Sequence, residues 1–522
     1  MSTASPSHRP VVARYGTRFA SGATLLETHA GPVVAAHPVA TARSAAIGLK
    51  WLCVTAFVLS AAPRVRVMVG PAPLYLLDVC AVVTLYYAWQ ARPAGFSHAR
   101  KLRAAVLAFL CFIVAGQLSN AVSGTWILEP AYMLGRYGLA VSLFFSAQRL
   151  IASLADMMRV FKSLALGLAV TSLLLVFVSL PPTRGVVTAY VFNNPMLEPV
   201  AEDGPVSLGA QGEAARGRSL VGTSTLSGGF INTLWPFALL LASSASVSAG
   251  WKRTALFAAV VAPFGAAVTY ARGAVLGLGL TLLVFSTLRR GVKGKASQYA
   301  VATVLVAVGV FHCVGWDSDL FFFERYEKRF KIALENPLGD ENERARLLSY
   351  VGPVEHLTKN PLFFVLGEGN TAGRWSPIAG VSQKSQNASH SSFAFSYYGF
   401  GMIAALCNVF LIASATLIMY RVVRSAGNRH APQAVAALCL LASLVGMIPW
   451  WLFGHATASD PRGMMLYMLV LGLVAAFPRT GQWVRASSNP SRHQGRLRAG
   501  SFASGIRPRS TTIAPLPTGI AE

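Results

Sequence analysis

The chain of 522 residues is 54% hydrophobic and only 12% charged, with a mean hydropathy of +0.50, which excludes an ordinary soluble enzyme and predicts a membrane protein. Its formal net charge of +25 sets 45 lysines and arginines against 20 acids. No basic patch interleaved with aromatic residues accompanies that charge, so it reports topology and attraction to anionic headgroups, with no nucleic-acid partner.

In chain order, residues 1–43 are rich in Ala, Ser and Arg and are expected to be a disordered, basic cytoplasmic segment. The first apolar stretch then reads as an uncleaved signal-anchor. With about 20 apolar residues needed per crossing, twelve spans are expected, at 44–62, 74–89, 102–122, 134–146, 161–180, 226–247, 255–269, 274–288, 300–314, 393–420, 434–453 and 464–477. The predicted fold is therefore an all-α, polytopic helix bundle. About nine helices fall in 44–315 and three in 392–477, followed by a disordered basic tail at 478–522.

If both termini are cytoplasmic, the inner segments hold 28 lysines and arginines and the remainder 17. That bias sets the orientation by the positive-inside rule. The six cysteines all fall inside expected spans without disulfide or metal spacing, and read as small apolar packing residues. No internal repeat is found, which weighs against transporters built from two related halves.

The outer face then receives a loop at 181–225, a tight turn at Tyr270-Ala271-Arg272-Gly273 and a large polar insertion at 316–391. This insertion holds 10 of the 20 acids, which a lipid-facing segment would not tolerate. Within it, 320–334 predicts an amphipathic helix, with Phe322, Tyr326, Phe330 and Leu334 on one face. A second helix is expected near Asp340 to Glu343, and turns are expected at Asn360-Pro361 and at 367–370.

Four local patterns occur in order along these outer segments. They are Arg218 followed by Gly222-Thr223, then Ala271-Arg272-Gly273-Ala274, then Arg346 with Pro361-Leu362 and Gly367-Glu368-Gly369, and finally His390-Ser391-Ser392-Phe393. Together they resemble the bacterial O-antigen ligase and O-antigen polymerase superfamily across roughly residues 218–401. Ala271 and Ser391 depart from the Ser and Asn usual in that family, and Gly399 and Gly401 follow His390 sooner than its pattern has them. The resemblance implies a glycosyltransferase of the bacterial inner (cytoplasmic) membrane. Its donor would be a glycan on undecaprenyl diphosphate and its acceptor lipid A-core or a growing glycan, with other polysaccharide-assembly proteins as possible partners. The new glycosidic bond would form on the periplasmic side, in lipopolysaccharide or exopolysaccharide biosynthesis.

Elementary chemistry points the same way. Breaking an anomeric bond to a diphosphate accumulates negative charge on the leaving group, and a guanidinium fork suits two phosphate oxygens. Arg218 and Arg272, both at the expected outer interface, are the candidate diphosphate clamp, against the bland reading of snorkelling anchors. His390 is the candidate general base for an acceptor hydroxyl, since imidazole ordinarily titrates near neutrality. The competing reading is a hydrogen-bonded interfacial histidine, and His455 or Glu368 are alternative bases. Arg346, Arg374 and Lys384 are candidate substrate-binding residues. Arg136 and Asp78, at membrane depth, would pair with each other or with substrate. No metal site is visible at ligand spacing, and no cofactor is expected. Gly273 and Gly277 form a GxxxG that reads as close helix packing. A lipid-glycan flippase and a non-catalytic assembly partner are the alternative classes.

Overall fold

A computed structural model of the chain describes residues 37–69, 72–91, 100–122, 128–192, 194, 196–197, 219–244, 246–269, 271–288, 298, 301–305, 361–367, 391–425, 432–453 and 460–477. The regular structure among them is helical apart from one antiparallel hairpin, β1 (Arg66–Val69) with β2 (Ala72–Tyr75). The first half contributes α1 (His37–Ala61), α2 (Leu76–Gln90), α3 (Arg100–Val122), α4 (Leu128–Leu150), α5 (Leu154–Ser179) and the short α6 (Pro181–Val187), which continues as a π-helical turn, Thr188–Phe192. The second half contributes α7 (Ser224–Ser243), α8 (Ala249–Val268), α9 (Arg272–Leu288), the six-residue α10 (Pro361–Leu366), α11 (Ser392–Phe400), α12 (Met402–Ser425), α13 (Pro432–Phe453) and α14 (Pro461–Ala476).

Six of these helices are long and apolar enough to cross a membrane: α1, α3, α5, α7, α12 and α13. The apolar α2, α9 and α14 are shorter. The protein is thus an all-α helical membrane protein. Eleven of the twelve expected apolar segments lie on described helices, while 300–314 lies mostly outside the described residues. The expected helices at 320–334 and near Asp340 lie outside them altogether.

Four local expectations change. First, α1 starts at His37, ahead of the expected boundary at 43. Second, Leu74 belongs to β2 and not to a span, because the chain pairs back on Arg66–Val69 before turning into α2 at Leu76. β1 also meets the stretch after the π-helical turn, through Arg66 N–H to the Met196 carbonyl at 2.8 Å. Third, the expected loop at 181–225 opens with a helix, since Pro181 and Pro182 suit a first turn where no N–H is needed. Fourth, the segment 393–420 is not one helix; it breaks at Gly401.

Helix starts follow the small polar residues that precede them. Ser153, Thr223, Ser391 and Asp460 each accept a backbone N–H from the following turn through the side chain. Pro461 occupies the first turn of α14, where its missing N–H costs nothing.

Burial ranks the helices. The membrane-length window of α7 is 94% buried by protein and that of α3 only 33%, so α7 is the central helix and α3 a peripheral one. α7 packs on α8, α13, α5 and α9, while α14 lies along α4. α14 runs parallel to α4, with Gly472 so close to Phe144 that an added Cβ would sit 2.9 Å from the Phe144 carbonyl oxygen.

A proline inside a helix frees a carbonyl that the bundle must satisfy. Pro263 leaves the Ala259 carbonyl without its helical donor, and the buried indole of Trp235 on α7 donates to it at 2.9 Å. Ser443 on α13 donates to the Thr233 carbonyl at 2.6 Å. Such bonds bind helices together where apolar burial against lipid supplies little net drive.

At the break, Gly401 has φ +88, a conformation a side chain adopts only with strain. A Cβ there would collide with the Val365 carbonyl, and one on Gly116 of α3 would lie 2.9 Å from the Leu366 carbonyl oxygen. α10, α11 and α3 therefore approach backbone to backbone. Gly401→Ala should destabilise the protein by about 1–3 kcal/mol, read as a lower melting temperature in detergent. Gly279→Ala, whose Cβ meets nothing within 4 Å inside α9, should be neutral or stabilising.

Candidate functional site

Of the residues proposed above, His390, Arg218, Arg346, Arg374 and Lys384 lie outside the described residues, as do His455 and Glu368. Arg272 opens α9, and only its backbone position is described. Arg136 and Asp78 are fully described and are paired. Among the described residues, no group of three His, Cys, Asp or Glu could hold a metal ion.

Three helix starts that adjoin the proposed residues meet at the end of α13. Ser219, next after Arg218 in sequence, is buried and shares a 2.8 Å hydroxyl contact with Ser227 in the first turn of α7. One residue on, Gly228 faces the start of α9, where an added Cβ would meet that of Ala274 at 2.7 Å and that of Ala271 at 3.8 Å. Trp450 near the end of α13 packs on Phe230 of α7 with ring centroids 5.9 Å apart. Its neighbour Trp451 packs on Phe393 in the first turn of α11 at 5.4 Å. The α11 cap is Ser391, next after His390 in sequence.

The Arg272 turn is braced from below. Asn232 of α7, fully buried, donates from Nδ2 to the Gly273 carbonyl at 3.1 Å. Gly277 lies against the Asn232 side chain and the Gly446 carbonyl of α13, where an added Cβ would stand 2.5 Å from that carbonyl oxygen. The GxxxG is thus a helix-packing element. The spacing of Gly273 and Gly277 signals it in sequence, whereas Asn232 carries no such signal.

A second polar centre joins α2, α4 and α14. Asp78, in the first turn of α2 where an anion suits the helix dipole, faces Arg136 of α4, with Nε 3.3 Å from Oδ2. The Arg136 guanidinium covers the Tyr75 ring at 4.3 Å and lies 5.8 Å from that of Tyr132. At the start of α14, Arg462 grips Asp460 through both side-chain oxygens, Nε to Oδ1 at 2.9 Å and Nη2 to Oδ2 at 2.5 Å. Each pair feels the other's charge, Arg462 acting on Asp78 and Arg136 on Asp460. Asp460 and Arg462 did not stand out in the sequence, although Asp-Pro before an apolar run is a readable helix start.

Burial pushes the Asp460 carboxyl up, but the charge and hydrogen bonds of Arg462, with a smaller contribution from Arg136, hold it below its usual range. Its ionisation therefore contributes stability that is complete above the ordinary value of 3.8 and is lost as pH falls through the lower folded value.

No protein-family model matches the chain, and no curated protein matches it.

Three measurements follow from the ion pairs. Asp78→Ala leaves the Arg136 charge buried without its carboxylate and should cost about 3–5 kcal/mol in detergent unfolding. Arg159→Ala, which removes an exposed partner of Asp156, should cost at most about 1 kcal/mol. Asp460→Asn should lower the melting temperature by a constant amount from pH 7 to pH 5, with the gap to wild type narrowing only below about pH 4.

Proposed function

We propose that the chain is an O-antigen ligase-like membrane glycosyltransferase that moves or polymerises glycan from an undecaprenyl-diphosphate-linked donor at the extracytoplasmic face. The observation that carries this reading is the convergence of three helix starts on Trp450 and Trp451. These are the start of α7 just after Arg218, that of α9 at Arg272 and that of α11 just after His390. Three segments far apart in sequence thus start side by side, as a transferase using those three residues would require.

In the proposed reaction Arg218 and Arg272 hold the donor diphosphate. His390 accepts the proton of an acceptor hydroxyl as that oxygen bonds to the anomeric carbon. The bond from that carbon to the diphosphate oxygen breaks, and its electron pair leaves with the lipid diphosphate, whose growing charge the two guanidinium groups offset. The donor is already activated by its diphosphate, so this scheme routes no step through a metal or cofactor. Arg346, Arg374 and Lys384, in the polar insertion, are placed in the scheme as contacts to glycan and phosphate. The Asn232 bond to the Gly273 carbonyl fixes the turn on which Arg272 sits.

Arg218→Ala, Arg272→Ala and His390→Ala, each at normal membrane level in a deletion strain, should lower glycan transfer at least about a hundredfold. Normal transfer in all three variants rejects the mechanism and leaves a flippase or a non-catalytic partner. The glycans of the deletion strain sort the branches. Lipid A-core without any repeat unit indicates a ligase, core with a single repeat a polymerase, and loss of an exopolysaccharide alone a polymerase for that product.

A further inference from the structure

The hairpin of β1 and β2 carries open apolar side chains on both of its faces. Val67 and Val69 share one face and Met68 lies on the other, and they are 54%, 59% and 49% exposed. Leu74 of β2 is exposed as well. A hairpin in water would alternate apolar with polar residues, and an isolated one is at best marginally stable there.

Its place in the fold says what surrounds it. The span-length α1 ends at Ala61, and α2 starts at Leu76, the residue after β2, so the hairpin stands at the membrane end of both helices. Thr171 of α5 donates to the Ser60 carbonyl at 2.6 Å, so α5 ends on the same side, and the π-helical turn that follows it holds Tyr190 79% exposed. The bridge between Val65 and Leu197 and the bond from Arg66 to Met196 tie this second segment to the hairpin. Along α2 runs an exposed apolar stripe of Leu76, Val79, Val82, Tyr86 and Trp89, and Leu74 carries it on into β2. The 15 residues of α2 make about 22 Å of helix, short of an apolar core of about 30 Å. The missing depth falls on the hairpin.

Charge and backbone suit that position. Residues 62–75 and 181–197 hold three arginines, Arg64, Arg66 and Arg184, and no acid, a balance that favours anionic headgroups. Leu76 N–H bonds the Val65 carbonyl at 2.9 Å, which sets the phase of the ladder so that position 73 has its nitrogen on the outer edge, where Pro73 leaves no N–H bare. On the opposite edge Arg66 gives its N–H to the Met196 carbonyl.

We propose that the hairpin and the turn around Tyr190 form one interfacial anchor, sunk into the boundary between headgroups and acyl chains and drawn to anionic phospholipid by its arginines. The partner is lipid because both faces of the hairpin are apolar, whereas a docked protein would cover one. The anchor is independent of the transfer chemistry proposed above.

The test puts photoreactive p-benzoylphenylalanine in place of Val67, Met68 or Tyr190, one at a time, in the full-length protein, and in place of Val82 in mid-α2 as the reference for lipid contact. All four positions are exposed, so the larger side chain needs no room in the core. The protein is irradiated in nanodiscs of equal parts phosphatidylglycerol and phosphatidylcholine, and adducts are read by intact mass. The three anchor positions should give phospholipid adducts in yields comparable to that at Val82. Phosphatidylglycerol should be favoured about fivefold at the anchor, the worth of one arginine at the surface, and not at Val82. Arg66→Gln/Arg184→Gln should remove that preference and keep the adducts. Protein adducts, or none, at Met68 and Tyr190 overturn the anchor, and equal labelling by both lipids there overturns the role given to the arginines.

Discussion

An apolar bundle leaves its polar groups nowhere to turn except to one another, and much of this structure is arranged around that constraint. Pro263 frees the Ala259 carbonyl in the middle of α8, and Trp235 of the neighbouring helix answers it. Thr233 offers its carbonyl to Ser443 across the α7–α13 contact. Asn232 reaches the Gly273 carbonyl at the head of α9. These bonds fix registers that lipid-like apolar packing alone would leave free to slide. They also centre on α7, the most enclosed of the six span-length helices.

The same constraint separates the two polar centres in character. Around Trp450 and Trp451 the helix starts meet through rings and glycines, with side-chain caps from Thr223 and Ser391 closing the first turns. Between α2, α4 and α14 the contacts are ionic, two arginines interlocked with two aspartates. The first arrangement orders backbone ends whose neighbours carry the proposed chemistry. The second holds charge inside the bundle, which is expensive unless each charge is answered.

The helices were legible in sequence because hydropathy and span length act on every residue at once. The GxxxG of Gly273 and Gly277 was legible too, since two glycines one turn apart can only narrow a helix face. The hairpin was not, because Leu74 and Tyr75 are as apolar as the span they precede and pair with residues on the other side of Gly70-Pro71. Nor was the break at Gly401, which lies within one unbroken apolar run and shows only through φ +88 and the closeness of α10. Of the site, the partnership of Asp78 and Arg136 was one of two readings, and the structure contains that pair. Asp460 and Arg462 were invisible because their importance comes from the helices beside them and not from their own neighbours in sequence. Arg218 and His390 lie outside the described residues, so their part in the site rests on the helix starts beside them.

The parallel pairing of α14 with α4 has a consequence for biogenesis. Asp78 and Arg136 emerge early in translation, but Asp460 and Arg462, which share their electrostatic field, come from the start of the helix at 461–476. During synthesis the early pair therefore waits in the membrane with one flank open for more than 300 residues. Closure of that flank waits for the helix at 461–476, which acts as the keystone of this charged centre.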